Sequence, residues 1–174
     1  MHPPVDVAFF SDCVRGEGDY YLFAGANVKY KRLDLAQAAC AKMGRRLVVA
    51  GGGGFSREDM RRAYAGAKAL LFPGVEDFGI VPVEAQSTGT PVIAYGVGGA
   101  RETVLDGTTG LFFRAQTVDS LCEAIEEFES RSWLPEQCLE NAARFSSEVF
   151  NDRMRRVLIT AGAMDSKSRI SLKP

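Results

Sequence analysis

Residues 68–96 read "KALLFPGVEDFGIVPVEAQSTGTPVIAYG". The stretch opens on a short apolar run, "KALLFPG", of the length of a buried strand and closed by proline and glycine. It ends on a second run of the same kind, "TPVIAYG". Between them "GIVPVEAQSTG" has helical length, and Pro82 suits a helix only within its first turn. Strand, helix and strand in this order make a parallel crossover unit.

The same alternation continues on both sides. "YYLFAG" (residues 20–25) reads as a strand, and "KRLDLAQAACAKMG" sets Leu35, Ala39 and Met43 at helical spacing with Gly44 as its stop. "RRLVVAGGGG" is a strand running into four glycines. Ser56 caps "REDMRRAYAGA", with Asp59 at the capping-box offset. "GGARETV" is a short helix and "TGLFF" a fifth strand. Thr117 caps a helix reaching Arg131, on which Val118, Leu121, Cys122, Ile125 and Phe128 mark one face. Two more helices are expected over residues 135–144 and 147–161. Five short apolar strands alternating with helices predict an α/β fold: a doubly wound, Rossmann-like parallel sheet with helices on both faces. We read residues 1–19 as a leader or linker, 20–161 as this domain and 162–174 as a loose polar tail.

Composition narrows the chemistry. With 174 residues, 46% hydrophobic and 25% charged, the chain is an ordinary globular one. A net charge of -1 argues against nucleic-acid binding, which relies on many phosphate-neutralising cations. No apolar run approaches the ~20 residues of a membrane span. The opening "MHPPVDVAFF" has no basic segment of the secretory kind, so a cytoplasmic location is expected. Three of the four cysteines (Cys13, Cys40, Cys122, Cys138) fall in helical patterns, as buried reduced thiols would. The single histidine, His2, precludes a nucleophile–imidazole pair or a histidine zinc site in the body of the chain. No D-x-D occurs to hold a metal-bound nucleotide. Carboxylates, backbone amides and cations remain.

In doubly wound sheets ligands bind beyond the carboxyl ends of the strands. The helix opening at Gly79 presents unpaired amides and partial positive charge, a place for phosphate. Glu76 before it and Glu84 within it would repel that phosphate, and suit hydroxyl donors instead. Two acceptors around an anion site fit a diphosphate with hydroxyl-bearing rings at both ends, as in a sugar nucleotide. Lys31 and Arg32 follow the first strand, where cations neutralise a diphosphate. Gly98 and Gly99 precede another helix and form a second candidate anion nest. Taken singly, these are equally two solvated glutamates, a surface cation pair and a tight turn.

In combination they carry a resemblance. "PGVEDFGIVPVEAQSTGTPVIAYGVGGARETVLDGTTGLFF" is similar to the donor-binding half of family-4 retaining glycosyltransferases, which have the two-domain GT-B fold. The likeness rests on Glu76 and Glu84 as E-x(7)-E, the run from Ala85, Gly98 to Glu102, and Asp106 to Phe113. "YLFAGANVKYKRLDLA" and "RFSSEVFNDRM" fit the same half. The resemblance implies that Glu76 orients the donor sugar at the transferred carbon. The backbone at Phe78, Gly79 and Ile80 would meet sugar hydroxyls and phosphate, Glu84 the ribose hydroxyls and Lys31 the diphosphate. It implies hexose transfer with retention from a nucleotide-diphosphate sugar, GDP-mannose being one candidate, in polysaccharide or glycoconjugate assembly. No cofactor or obligatory metal is expected.

The resemblance also implies an N-terminal acceptor-binding domain or a partner chain supplying it, without which the chain would be inactive. Any peripheral membrane contact would come through that half. Relatives carry a further helix and strand where this chain has only a short segment after Gly54. Ala26 stands where many relatives place a diphosphate-binding arginine, with Lys29 nearby to compensate. The alternatives are a non-catalytic sugar-nucleotide-binding or regulatory module, and an unrelated flavodoxin-like or nicotinamide-binding domain. "GANVKYKR" lacks the glycine spacing of the last.

Overall fold

The structure, a computed structural model, describes residues 2–16 and 18–161. Along the chain run α1 (Val7–Ser11), β1 (Tyr20–Ala24), α2 (Leu33–Met43), β2 (Arg46–Ala50), α3 (Arg57–Gly66), β3 (Leu70–Phe72) and α4 (Ile80–Ser87). They are followed by β4 (Val92–Tyr95), α5 (Ala100–Thr103), β5 (Gly110–Phe113), α6 (Val118–Glu129), α7 (Pro135–Ala143) and α8 (Ser147–Thr160). The five strands expected from sequence are those observed, and all their pairings are parallel. The stretch read as a polar tail, residues 162–174, lies outside the described residues.

Local chemistry sets the helix ends. Ser56 and Asp59 form a complete capping box at α3, Thr117 accepts from the Ser120 amide at α6, and Gly44 closes α2 at φ 62°. Pro82 occupies the third position of α4, where an amide hydrogen would have had no partner inside the helix. Within the stretch read as a leader, Asp6 caps α1 through the Phe9 amide (3.2 Å). Val5 and Phe10 of that stretch are buried, and the Val5 amide donates to Phe145 O (2.9 Å).

The sheet order is β2-β1-β3-β4-β5. Successive residues of each strand point to opposite faces. Tyr21, Phe23, Leu71, Ile93, Leu111 and Phe113 join α2 and α6 in one core cluster, while Leu22, Ala24, Leu70, Phe72, Val92 and Ala94 join α3, α4 and α5 in another. Each large side chain fully buried in these layers contributes roughly 1.5–3 kcal/mol. Leu22 pairs with Val48 on one side and Leu70 on the other, so β1 is where the winding reverses. The segment after Gly54 leads straight into α3 without a further helix or strand. β2 is therefore an edge of the sheet, with Val49 39% exposed. No helix among the described residues is long and apolar enough to cross a membrane.

A buried amide cluster ties three helices together. Asn141 on α7 donates to Gln86 Oε1 (2.6 Å) and Thr103 O (2.9 Å). Gln86 on α4 donates to Pro82 O (3.0 Å) and to the same Thr103 O (2.7 Å) at the end of α5. Removing the asparagine strands acceptors in the core. We expect Asn141→Leu to destabilise the chain by about 2–3 kcal/mol, read by urea unfolding.

Cys40, Cys122 and Cys138 are buried and unbridged, while Cys13 is half-buried. Burial pushes the Cys40 thiol up to about 11 and that of Cys138 up to about 12, far from the reactive thiolate range. A thiol reagent is expected to modify Cys13 alone in the folded chain and all four cysteines after unfolding.

Candidate functional site

At the carboxyl ends of β1 and β3, the two strands flanking the reversal, their loops meet. The loop after β1 leaves through Gly25 at φ 141°, and a side chain there would lie 2.9 Å from Lys31 Nζ. The ammonium thus passes over bare backbone. The loop after β3 comes equally close: a Cβ on Gly74 would sit 2.7 Å from Tyr30 O. Across this junction Lys31 Nζ lies 3.1 Å from Glu76 Oε1, and both side chains are largely buried. Oε1 is shut off from solvent, yet among the described residues no group donates a hydrogen bond to it: the ammonium meets it as an ion pair without hydrogen-bond geometry. A desolvated carboxylate oxygen in that state is an acceptor waiting for a donor.

Next to the pair, Gly79 holds the N-cap position of α4 at φ 86°, with no side-chain cap on the amides behind it. A cavity of about 560 Å³ opens in front, between Tyr30 and Lys31 on one side and Val75 to Val81 on the other, with Pro3 at its rim. Tyr30, Val75 and Ile80 leave apolar surface exposed around it. Of the residues singled out from sequence, Lys31, Glu76, Phe78, Gly79 and Ile80 come together here. The Phe78 ring turns away, stacking on His2 (5.3 Å) and meeting Phe145 edge-on (5.5 Å).

The other candidates are placed elsewhere. Arg32 adopts a left-handed backbone (φ 55°), which turns its guanidinium onto Asp34 (3.1 Å) at the start of α2 and out of the cavity. Lys29 is exposed and outside the lining. The expected second anion nest is a brace: the Gly99 amide already donates to Glu76 O (2.7 Å). A side chain on Gly98 would strike that same oxygen, and one on Gly99 would strike Phe78 O. These glycines press their loop onto the Glu76–Phe78 backbone and so fix it.

Glu84 lies a turn along α4, outside the cavity lining and facing α3. Its Oε2 accepts from the Tyr64 hydroxyl (2.8 Å). Burial raises the Glu84 carboxyl above its usual range, against the lowering effects of Tyr64 and the Arg57 charge. Sequence reasoning missed Tyr64 and Gly25. Nothing local marks Tyr64, which meets Glu84 only through packing of α3 on α4. The glycine ending β1 was legible as a terminator, and its role beneath Lys31 was not. A larger cavity, about 990 Å³, opens at the amino ends of the strands beside Arg15, Lys68 and Trp133, remote from this chemistry. No cluster of three metal-ligating side chains occurs among the described residues.

Residues 53–145, just over half of the chain, match the family described as "Glycosyl transferases group 1". The chain belongs to that family. As a group 1 glycosyl transferase it is 40% identical over 94 residues to a D-inositol 3-phosphate glycosyltransferase of Mycobacterium sp. (strain KMS). That alignment covers 52% of this chain and 21% of the relative, so the match spans about a fifth of the curated protein's length. Among solved structures, a glycosyltransferase from Rickettsia africae ESF-5 superposes with a TM-score of 0.73 at 15% identity, over 95% of this chain and 57% of that one. Anabaena HepE, in complex with UDP and glucose, gives a TM-score of 0.63 at 18% identity, over 82% of this chain and 49% of that one. Both likenesses place this chain's sheet in the GT-B, Rossmann-like class.

The Glu84 carboxyl also makes a stability statement. A carboxyl whose folded value is raised stabilises the fold at low pH, and that contribution is lost as pH rises through the raised value. Above that raised value the ionised Glu84 therefore costs stability. Glu84→Gln keeps an acceptor for Tyr64 without the buried charge. We expect it to raise the thermal midpoint by a few degrees on the alkaline side of the Glu84 titration, with a gain that shrinks on acidification through it, measured by calorimetry.

Proposed function

We propose that this chain is the donor-binding, C-terminal half of a retaining hexosyltransferase. It would take a nucleotide-diphosphate sugar, with GDP-mannose one candidate, in cytoplasmic polysaccharide or glycoconjugate assembly. The observation that carries the reading is the buried, undonated Glu76 oxygen held against Lys31 in front of the uncapped start of α4. Each part suits one part of a sugar nucleotide. Sugar hydroxyls supply the donors that Glu76 lacks. The diphosphate takes the amides behind Gly79 and the Lys31 ammonium. Glu84 accepts from the ribose hydroxyls.

In this reading the Lys31–Glu76 pair holds both groups at the cleft, and the ligand inserts its own charges between them. During transfer the bond from anomeric carbon to diphosphate oxygen breaks, and the diphosphate leaves with the electron pair. The acceptor hydroxyl adds to the same face and passes its proton to the departing diphosphate oxygen. Lys31 and the helix amides stabilise the departing charge, while Glu76 favours positive charge on the sugar, so neither an imidazole nor a metal is required. The acceptor is held by a further domain or a partner chain, and the chain alone is inactive.

A second reading, a sugar-nucleotide-binding module without transfer, is favoured by the edge position of β2. Beside the glycine loop no strand is present, among the described residues, to wall a nucleobase.

Calorimetric titration with GDP, UDP and GDP-mannose tests the proposal. We expect one base to bind saturably, Lys31→Ala to weaken that diphosphate at least about tenfold, and Glu76→Gln to tighten it by releasing the ammonium. For the matching sugar nucleotide, Glu76→Gln should instead lose the preference over the bare diphosphate. No saturable binding by the folded native chain overturns the reading.

A further inference from the structure

Glu84 has one hydrogen-bond donor among the described residues, the Tyr64 hydroxyl, and Tyr64 has no exposed surface. The phenol is therefore sealed from any ligand and serves Glu84 only. Three contacts immobilise it. Its ring meets Phe10 of α1 edge-on (5.7 Å), its carbonyl accepts from Thr90 Oγ1 (2.8 Å), and its hydroxyl is bound to Oε2. A hydroxyl fixed on one carboxylate oxygen selects the side-chain rotamer and leaves the other oxygen, Oε1, for a second partner. It also opposes the effect of burial, which drives the carboxyl toward its neutral form.

We propose that Tyr64 is a positioning residue for the donor site, holding Glu84 in the orientation and ionised state that accept hydroxyl groups of the nucleotide ribose. This rests on the reading of Glu84 given above. A neutral carboxyl is a poorer acceptor, because one oxygen carries the proton. Among the described residues, the charged and titratable groups facing Glu84 are Tyr64 and Arg57, both from α3, and Arg57 is itself held by Asp6 before α1 (2.6 Å). Helix α1 thus reaches the site twice, through Phe10 onto Tyr64 and through Asp6 onto Arg57. No part of α1 lines the cavity.

The test is a double-variant cycle. The native chain, Tyr64→Phe, Glu84→Gln and the double variant are titrated calorimetrically with GDP and UDP across the pH range over which carboxyl-carbon NMR follows the Glu84 titration in the native chain and in Tyr64→Phe. We expect Tyr64→Phe to lower affinity about tenfold at the acid end and less at the alkaline end, and to add nothing in the Glu84→Gln background. Carboxyl-carbon NMR should show Glu84 in Tyr64→Phe taking its proton at higher pH than in the native chain. Equal affinity of Tyr64→Phe and the native chain across this range overturns the proposal. So does a Tyr64→Phe loss that persists undiminished without Glu84, or a Glu84 titration unmoved by Tyr64→Phe. Native-like binding by Glu84→Gln, or no binding by the native chain, removes the ribose role itself and the positioning role with it. The NMR titration keeps that failure apart from a failure of the Tyr64–Glu84 contact. If Tyr64→Phe does not fold, Phe10→Leu replaces it in the same cycle, loosening the ring while keeping the hydroxyl. It should weaken binding, and only where Glu84 is present.

Discussion

Parallel strands cannot be joined by tight turns, and this governs the molecule. Each must be reached by a crossover that lays a helix on one face of the sheet. Because β1 is followed first by β2 on one side and then, by way of α3, by β3 on the other, the loops leaving β1 and β3 diverge to opposite faces. A crevice is the unavoidable result. Lys31 and Glu76 stand on the two sides of it, 45 positions apart in sequence and in contact in space. The glycines at 25, 74, 98 and 99 let the backbones approach closely enough for that contact. The ion pair is a product of the winding order and does not cause it.

The elements were readable from sequence because their determinants are local. Apolar runs of strand length, the Ser56–Asp59 box and the left-handed glycine after α2 each act within a few residues. The GT-B class and the presence of Lys31, Glu76 and Gly79 in one crevice followed from motif order. What was hidden depends on tertiary approach. Arg32 neighbours Lys31 in sequence, yet one left-handed residue turns it onto Asp34 instead. Gly99 has the sequence of an anion nest, and its amide is consumed by Glu76 O. Glu84 reads as a helix-face carboxylate, and only the packing of α3 decides that it meets Tyr64.

Charge is distributed unevenly with respect to solvent. Most ion pairs lie on the surface, as with Lys42–Asp119 or Arg46–Asp19, where screening leaves them worth little. The two carboxylates with buried oxygens or raised protonation, Glu76 and Glu84, both flank α4 or sit on it. Stability alone would favour their replacement by neutral residues, since each keeps an incompletely compensated charge out of water. Under the proposed function, the two carboxylates are kept for binding and not for stability.

The amide cluster of Asn141, Gln86 and Thr103 has a consequence for that binding. It grips α4 from its far end, fastening the helix to α5 and α7 through the Gln86 side chain, which donates to Thr103 O and accepts from Asn141. The amides at the near end are thereby fixed in direction before any ligand arrives. Under the proposed function, an anion reaching Gly79 would not have to order the helix it lands on, so the entropy of assembling the cradle would be settled when the chain folds and would not subtract from affinity.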